Sequence, residues 1–351
     1  MEADRVRAPN IRDVARLAGV SYQTVSRVLN NSESIRPSTK QRVLDVIDEI
    51  GYRPNQAARA LVTSKSRTLG VLTSQTAHYG PATSLRAIEI AAREAGYLIS
   101  TTSLISSDYD SIVENLEYLM NQAIEGMIVI SPQVRVFEAI KQLAIRIPLV
   151  TLDSTGRDAP RSLSVDQITG ARMATRHLIE LGHREIVHLA GPQDWIEAEA
   201  RMRGFLDEID EADLRTHPPI LGDWTAEFGY QAGRELVGYR DFTAVFAAND
   251  QMALGLLHAF RESGVDVPGD VSVVGFDDIP EAQHYWPPLT TVRQDFAEIG
   301  RRSIAILLDE IHGDARVDLA QILPELMIRD STAPFARHEA QTGKYVGVPV
   351  T

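Results

Sequence analysis

From Thr68 onward the chain alternates short apolar runs with helical stretches, and this alternation restricts the fold more than any other feature. TLGVLTS, YLISTTSLI, GMIVISP and PLVTLDS read as strands, with helices beginning near Ala82, Tyr109 and Val134 between them. A second series, EIVHLAGP, PPILGDW, TAVFAAND and VSVVGFDDI, is interleaved with helices near Gln167, Ala198, Ala226 and Gln251. Repeated strand–helix–strand units make parallel sheets covered by helices on both faces. Two such halves, each of four or five strands, predict two doubly wound subdomains facing each other across a cleft.

In sheets of this kind a ligand lies beyond the C-terminal ends of the strands. Several strands end there in polar residues or an indole: Ser74, Asp153, Trp224, Asn249–Asp250 and Asp277–Asp278. Any one of them also serves as a plain helix cap or turn. Taken together they suggest a cleft lined by hydrogen-bonding groups.

The first 67 residues have a different character. In IRDVARLAGVSYQTVSRVLN (11–30), Ile11, Val14 and Leu17, with Ala15 and Ala18, sit at helical spacing, and Gly19 stands at a C-cap position. Ser21 is placed to cap a second helix with Val25, Val28 and Leu29 inward, which leaves Tyr22, Gln23, Ser26 and Arg27 outward. A short helix, a tight turn and a helix displaying polar side chains in its first turns form the helix-turn-helix arrangement for the DNA major groove. Helix pairs of this size also occur in small cores with no such role.

Charge discriminates between the two. The chain carries −13 overall, yet residues 1–67 hold 12 Lys/Arg against 7 Asp/Glu, net +5, while the remaining 284 hold 23 against 41, net −18. A basic module on an acidic body suits phosphate binding by one end only. A third helix is expected over Pro37–Ile50, with Val43, Leu44, Ile47 and Ile50 on one side and Gly51 at its end. After it, Asn55 could cap a short helix over Gln56 to Leu61, which buries too little to be stable alone. It reads either as a linker or as a segment that folds on a partner.

Other classes are restricted by what the sequence lacks. With no cysteine there is no disulfide, thiolate or Cys-ligated metal. No apolar run suits a signal peptide or a bilayer span, so a cytoplasmic protein is expected. There is no Walker loop, G-x-S-x-G elbow or His-x-x-x-His spacing. An enzyme would have to use Asp277 with Asp278, or a histidine such as His188; His177 and His183 flank a helix end and read as solvated or capping groups. Neither catalysis, a cofactor nor a metal is expected.

In order and spacing, Asp13-Val-Ala through Gly19-Val-Ser-Tyr-Gln-Thr-Val-Ser-Arg-Val, Tyr52-Arg-Pro-Asn, Leu189-Ala-Gly-Pro, Gly222-Asp-Trp, Ala248-Asn-Asp-Gln-Met-Ala-Leu-Gly, Ser272-Val-Val-Gly-Phe-Asp-Asp and Pro287-Pro-Leu-Thr-Thr-Val-Arg-Gln-Asp-Phe resemble the lactose repressor (LacI/GalR) family of bacterial transcription regulators. The resemblance spans all but the last 15 or so residues. It implies an all-α helix-turn-helix domain and a periplasmic-binding-protein-like core of two α/β parallel-sheet subdomains. The implied boundaries are 1–54 for DNA binding, 55–67 for a hinge helix and linker, 68–165 with 296–323 and 166–295 with 324–335 for the subdomains, and 336–351 for a disordered tail.

By the same resemblance Tyr22, Gln23 and Arg27 read bases, while Ser21, Thr24, Ser26 and Asn30 contact the DNA backbone. Asn55, Ala58 and Leu61 belong to a hinge in the minor groove, with Leu61 wedged into a base step. Ser74, Tyr79, Asp153, Arg201, Trp224, Asn249, Asp277 and Gln294 hold an effector, with the loop 77–84 closing one side. Carboxylates, amides and a guanidinium beside an indole suit a saccharide, galactoside-like by resemblance. Ile130 stands where the family's founding member has an asparagine, and His78, Tyr79 and Trp195 differ near the pocket, so the particular sugar stays open. So do a nucleobase effector and the sign of regulation, induction or corepression. The tail ARHEAQTGKYVGVPVT has no apolar heptads, so a homodimer on double-stranded operator DNA is expected, without a tetramerising coil.

Overall fold

The computed structural model describes residues 9–29, 34–53, 65–74, 78–106, 108–130, 133–143, 145–152, 161–215, 217–239, 241–313 and 319–335. The chain divides into two units, Met1–Arg67 and Thr68–Thr351.

In the first unit, α1 (Ile11–Leu17), α2 (Tyr22–Leu29) and α3 (Pro37–Ile50) enclose a small core. Asn10 caps α1 reciprocally: its side chain accepts from the Arg12 and Asp13 amides, and Asp13 accepts from the Asn10 amide at 3.0 Å. Such a cap is worth about 1 kcal/mol. Gly19 takes φ 62, the left-handed conformation the turn into α2 needs and a β-carbon disfavours. Pro37 opens α3 and Gly51 closes it, as the sequence suggests. Val14, Val25 and Val43 are fully buried, each contributing about 1.5–3 kcal/mol.

Two details depart from the periodicity. Leu17, expected on the inner face of α1, is 54% exposed, because Val14, Ala15 and Ala18 form the face that packs inward. On α3 the buried seam is Val43 and Val46, with Leu44, Ile47 and Ile50 half-buried at its edge.

The second unit holds two sheets. The first is built from β1 (Thr68–Ser74), α4 (Tyr79–Glu94), β2 (Leu98–Leu104), α5 (Tyr109–Met120), β3 (Gly126–Ile130), α6 (Val134–Leu143), β4 (Leu149–Leu152) and β5 (Ser162–Leu163), in the parallel order β2-β1-β3-β4-β5. The second follows through α7 (Gln167–Glu180), β6 (Ile186–Ala190), α8 (Ile196–Glu211), β7 (Ile220–Leu221), α9 (Ala226–Leu236), β8 (Ala244–Ala247), α10 (Asp250–Glu262), β9 (Ser272–Asp277) and β10 (Thr290–Arg293). The chain then returns to the first sheet as α11 (Phe296–His312), whose Ile299, Ile304, Ile306 and Leu307 share a core with Val71, Ile88 and Ile128, before ending on β11 (Glu325–Met327).

The second sheet has the order β11-β10-β9-β8-β6-β7, and β11 is antiparallel to β10. It is a sixth strand where four or five were expected. Central strands β3, β6, β8 and β9 are buried along their whole length, as sheets covered on both faces require. Between the sheets the chain passes near Val165, which is bridged to Ile322, and again between Gln294 and Phe296. Among the described residues no helix is long and apolar enough to cross a membrane.

Candidate functional site

Two places carry the expected residues. On α2, Val25 and Val28 are buried while Tyr22, Gln23 and Arg27 are exposed on the opposite side. Thr24 and Ser26 are half-buried. Ser21 caps the helix: its hydroxyl accepts from the Thr24 amide at 3.1 Å and lies 2.9 Å from the Thr24 hydroxyl. A rigid inner face and a polar outer one give the helix a fixed display of side chains. Asn30, Asn55, Ala58 and Leu61 lie outside the described residues.

The second place is a cleft, partly open to solvent, within the second unit. It lies at the C-terminal ends of the strands of both sheets. Tyr79, Arg201, Trp224, Asn249, Asp277 and Gln294 all line it, as do Ile130, His78 and Trp195. Asp153, residue 77 of the expected closing loop and the side chain of Ser74 lie outside the described residues.

A nearly sealed polar chain forms one wall. Arg201 on α8 donates from Nε to Gln167 Oε1 at 2.9 Å, from Nη1 to the Ala248 carbonyl and from Nη2 to Asp277 Oδ1 at 3.3 Å. Gln167 in turn donates to Gln294 Oε1 at 2.7 Å, and Gln294 donates to Asp277 Oδ1 at 2.6 Å. The guanidinium also lies 3.9 Å from the Phe276 ring centroid and 5.5 Å from that of Trp224. Of its five N–H donors, three are engaged with Gln167, Ala248 and Asp277 among the described residues. Burial pushes the Asp277 carboxyl up, and Arg201 and Gln294 pull it back; burial likewise lowers Arg201 against the opposing pull of Asp277.

Asn249 is more constrained than its position suggests. Its amide donates to the Trp224 carbonyl at 3.0 Å and to Gln251 Oε1 at 2.9 Å, and its oxygen caps α10 through the Met252 amide at 2.9 Å. Trp224 and Asp277 take φ 72 and 108, and Asp278 takes 50. Non-glycine residues there carry about 1–3 kcal/mol of strain each, sustained only where the surroundings over-determine it.

Aromatic rings form the rest of the wall. Trp195 meets Trp224 at 5.5 Å and His78 at 5.2 Å, edge to face, and Tyr79 meets Phe296 at 5.7 Å in the same way. His78 precedes α4 and Trp195 precedes α8, so this contact crosses the cleft, as does the bridge from Gln133 to Trp195. Ile130, Leu152, Leu163 and Phe296 make the side nearer the first sheet apolar.

The groups an enzyme would have needed are placed otherwise. His188 is stacked between Phe205 and Phe246, at 4.9 and 4.7 Å, and donates from Nδ1 to the Phe246 carbonyl. Burial pushes it down to about 4, so it is a neutral core residue. Asp278 does not share a site with Asp277; Arg293 and Arg329 each hold it at 2.6 Å. Sequence reasoning missed Gln167. The signal was its place directly after Asp166, the cap of α7, at the C-terminal end of β5.

Known proteins share this organisation. The family model described as bacterial regulatory proteins, lacI family, matches residues 10–55, and that of a periplasmic binding protein-like domain matches residues 175–332. The chain is 34% identical to the lactose operon repressor of Escherichia coli (strain K12) over 91% of its own length and 89% of that protein. It is 33% identical to the HTH-type transcriptional repressor PurR of Mannheimia succiniciproducens over 93% of its length and 99% of that protein. A lac repressor dimer solved with operator and the anti-inducer ONPF superposes with a TM-score of 0.85 at 32% identity, covering 93% of this chain and all of that one. The complex of the regulator CelR with cellobiose gives 0.68 at 31% identity, over 92% and 99%. These relatives are regulators rather than enzymes. The exposed face of α2 and the polar, aromatic-walled cleft thus belong to one known design, and the chain is a member of the lacI family of bacterial regulatory proteins, a DNA-binding transcription regulator with a ligand-binding core.

Proposed function

We propose that this regulator is a homodimeric repressor of a carbohydrate-utilisation operon, released from a palindromic operator by a saccharide bound in the cleft. Tyr22, Gln23 and Arg27 read base edges: glutamine offers a paired donor and acceptor, arginine prefers guanine, and tyrosine adds apolar contact and a hydroxyl. Ser21, Thr24, Ser26 and Asn30 contact phosphates, which fix register without specifying sequence. Asn55, Ala58 and Leu61 act in the minor groove, where an apolar wedge unstacks a base step for about a few kcal/mol that the bent complex must offset.

The observation that carries the effector reading is the donor and acceptor set of Arg201, Asp277 and Gln294 beside the Trp224 ring. Such a set shares adjacent hydroxyls, and an indole covers the C–H face of a sugar. Tyr79, Asn249, Ser74 and Asp153 complete the site in this reading. Trp195 meets Trp224 at 66° and Tyr79 meets Phe296 at 81°, so neither contacting pair is stacked in the parallel manner that favours a planar nucleobase. The galactoside-like preference follows the likeness to the lactose operon repressor.

Anisotropy titration on a palindromic lac-like operator, repeated with lactose, methyl β-galactoside and cellobiose, tests the proposal. Tight, salt-sensitive binding that one of these sugars weakens is the expected result. Binding that the sugar tightens would make the protein a corepressor-dependent regulator, and indifference to all three would remove the saccharide reading.

A further inference from the structure

Asp250, the first residue of α10, is completely buried, and its carboxyl reaches two other elements. Oδ2 accepts from the Ile279 amide at 2.9 Å, just after β9, and Oδ1 lies 2.5 Å from the Thr291 hydroxyl on β10. Between β9 and Ile279 runs the Asp277–Asp278 turn with its two left-handed residues. The other side of that turn is fastened by Arg293 and Arg329 on Asp278, while the Asp278 amide reaches the Thr291 hydroxyl at 3.4 Å. Seating the carboxyl this close requires Gly275 on β9, where a β-carbon would stand 2.2 Å from Asp250 Oδ1. No described contact of Asp250 reaches Arg201, Gln294 or Gln167 directly; what it grips is the backbone that presents Asp277 to them.

We infer that Asp250 is a positioning residue for effector recognition: by holding the Asp277–Ile279 turn through the Ile279 amide and Thr291, it sets where the Asp277 carboxylate stands in the cleft. The inference rests on the reading of this cleft as the effector site. A strained turn needs its surroundings to hold it, and binding groups must be held to within a fraction of an ångström to retain affinity. Burial, reinforced by nearby Asp277, pushes the Asp250 carboxyl well above the usual range. Thr291 donates its hydroxyl to Oδ1, and an amide at this position is nearly isosteric with the carboxyl. Asparagine would accept from Ile279 with its oxygen and donate to Thr291 with its nitrogen.

The experiment compares Asp250→Asn, Asp250→Ala and Thr291→Val in the full-length protein, titrated calorimetrically with lactose, methyl β-galactoside and cellobiose, with Asp277→Ala as control and thermal melts on every variant. Asp250→Asn should bind the responding sugar within about threefold of the parent, Asp250→Ala about tenfold or more weakly, and Thr291→Val in between. Wild-type affinity in Asp250→Ala, or equal loss in the Asn and Ala variants, overturns the positioning role. Should Asp250→Ala fail to fold, Thr291→Val decides, and unchanged affinity there also overturns it. If no sugar binds, the saccharide reading fails, and if Asp277→Ala binds like the parent, the effector-site reading fails, each taking the inference with it; loss in Asp277→Ala alone removes only the role of Asp250.

Discussion

On α2 the side chains proposed to read DNA stand in solvent, on a helix anchored from behind by Val25 and Val28, whereas Arg201, Asp277 and Gln294 in the cleft are between 5 and 7% exposed and bonded to one another. The difference follows from the partners. A duplex arrives as a charged, hydrated surface, so its readers stay solvated until docking and place little demand on the fold. A small ligand must be stripped of water, so its contacts are preorganised in a site where an unpaired charge is costly. Recognition residues on α2 should therefore be nearly independent of stability, and those in the cleft should not.

Arg201→Ala puts the greatest strain on this comparison. It leaves Asp277 buried without its cation, and removing one partner of a buried pair costs about 3–5 kcal/mol. Denaturant unfolding should show a loss of that order together with lost sugar binding; a variant as stable as the parent would break the comparison.

The next effect concerns pH. His188 is held down to about 4 in the folded chain and returns to about 6.5 when unfolded. The unfolded chain thus binds the extra proton as pH falls below about 6.5, and stability is lost progressively between there and about 4. The span corresponds to about 3 kcal/mol. His188→Phe should remove this component of the pH dependence, and an unchanged slope of unfolding free energy against pH in that variant would contradict the assignment.

Arg27→Ala should have the smallest effect on the fold, within about 0.5 kcal/mol, yet reduce operator discrimination by about 1–3 kcal/mol. Competition between operator and nonspecific DNA measures the second quantity; equal weakening on both would make Arg27 a phosphate contact instead.

The same contrast explains what could be read in the sequence. Pro37 and Gly51 bound α3 as expected because proline and glycine act through local backbone geometry, and β3, β6 and β8 follow from uninterrupted apolar runs. Tyr79, Arg201, Trp224, Asn249, Asp277 and Gln294 were named by resemblance and do converge on one cavity. β11 escaped notice because three residues, Glu325–Met327, have no period to detect, and its pairing with β10 comes from distant chain. Leu17 misled because a seven-residue helix presents only a narrow inner face. Gln167 and Asp250 look like ordinary helix-start residues; only the folded chain shows that one links Arg201 to Gln294 and the other grips the turn beside Asp277.

In the proposed switch one equilibrium joins these two surfaces, and linkage makes the coupling reciprocal: whatever factor the sugar removes from operator affinity, the operator must remove from sugar affinity. A full switch from about 1:99 to 99:1 needs about 10⁴-fold differential affinity. Titrating the responding sugar into the protein alone and into the protein saturated with operator tests this most directly. Sugar should bind the operator complex more weakly, by the same factor as it weakens operator binding; identical sugar affinity in the two titrations would contradict a shared equilibrium.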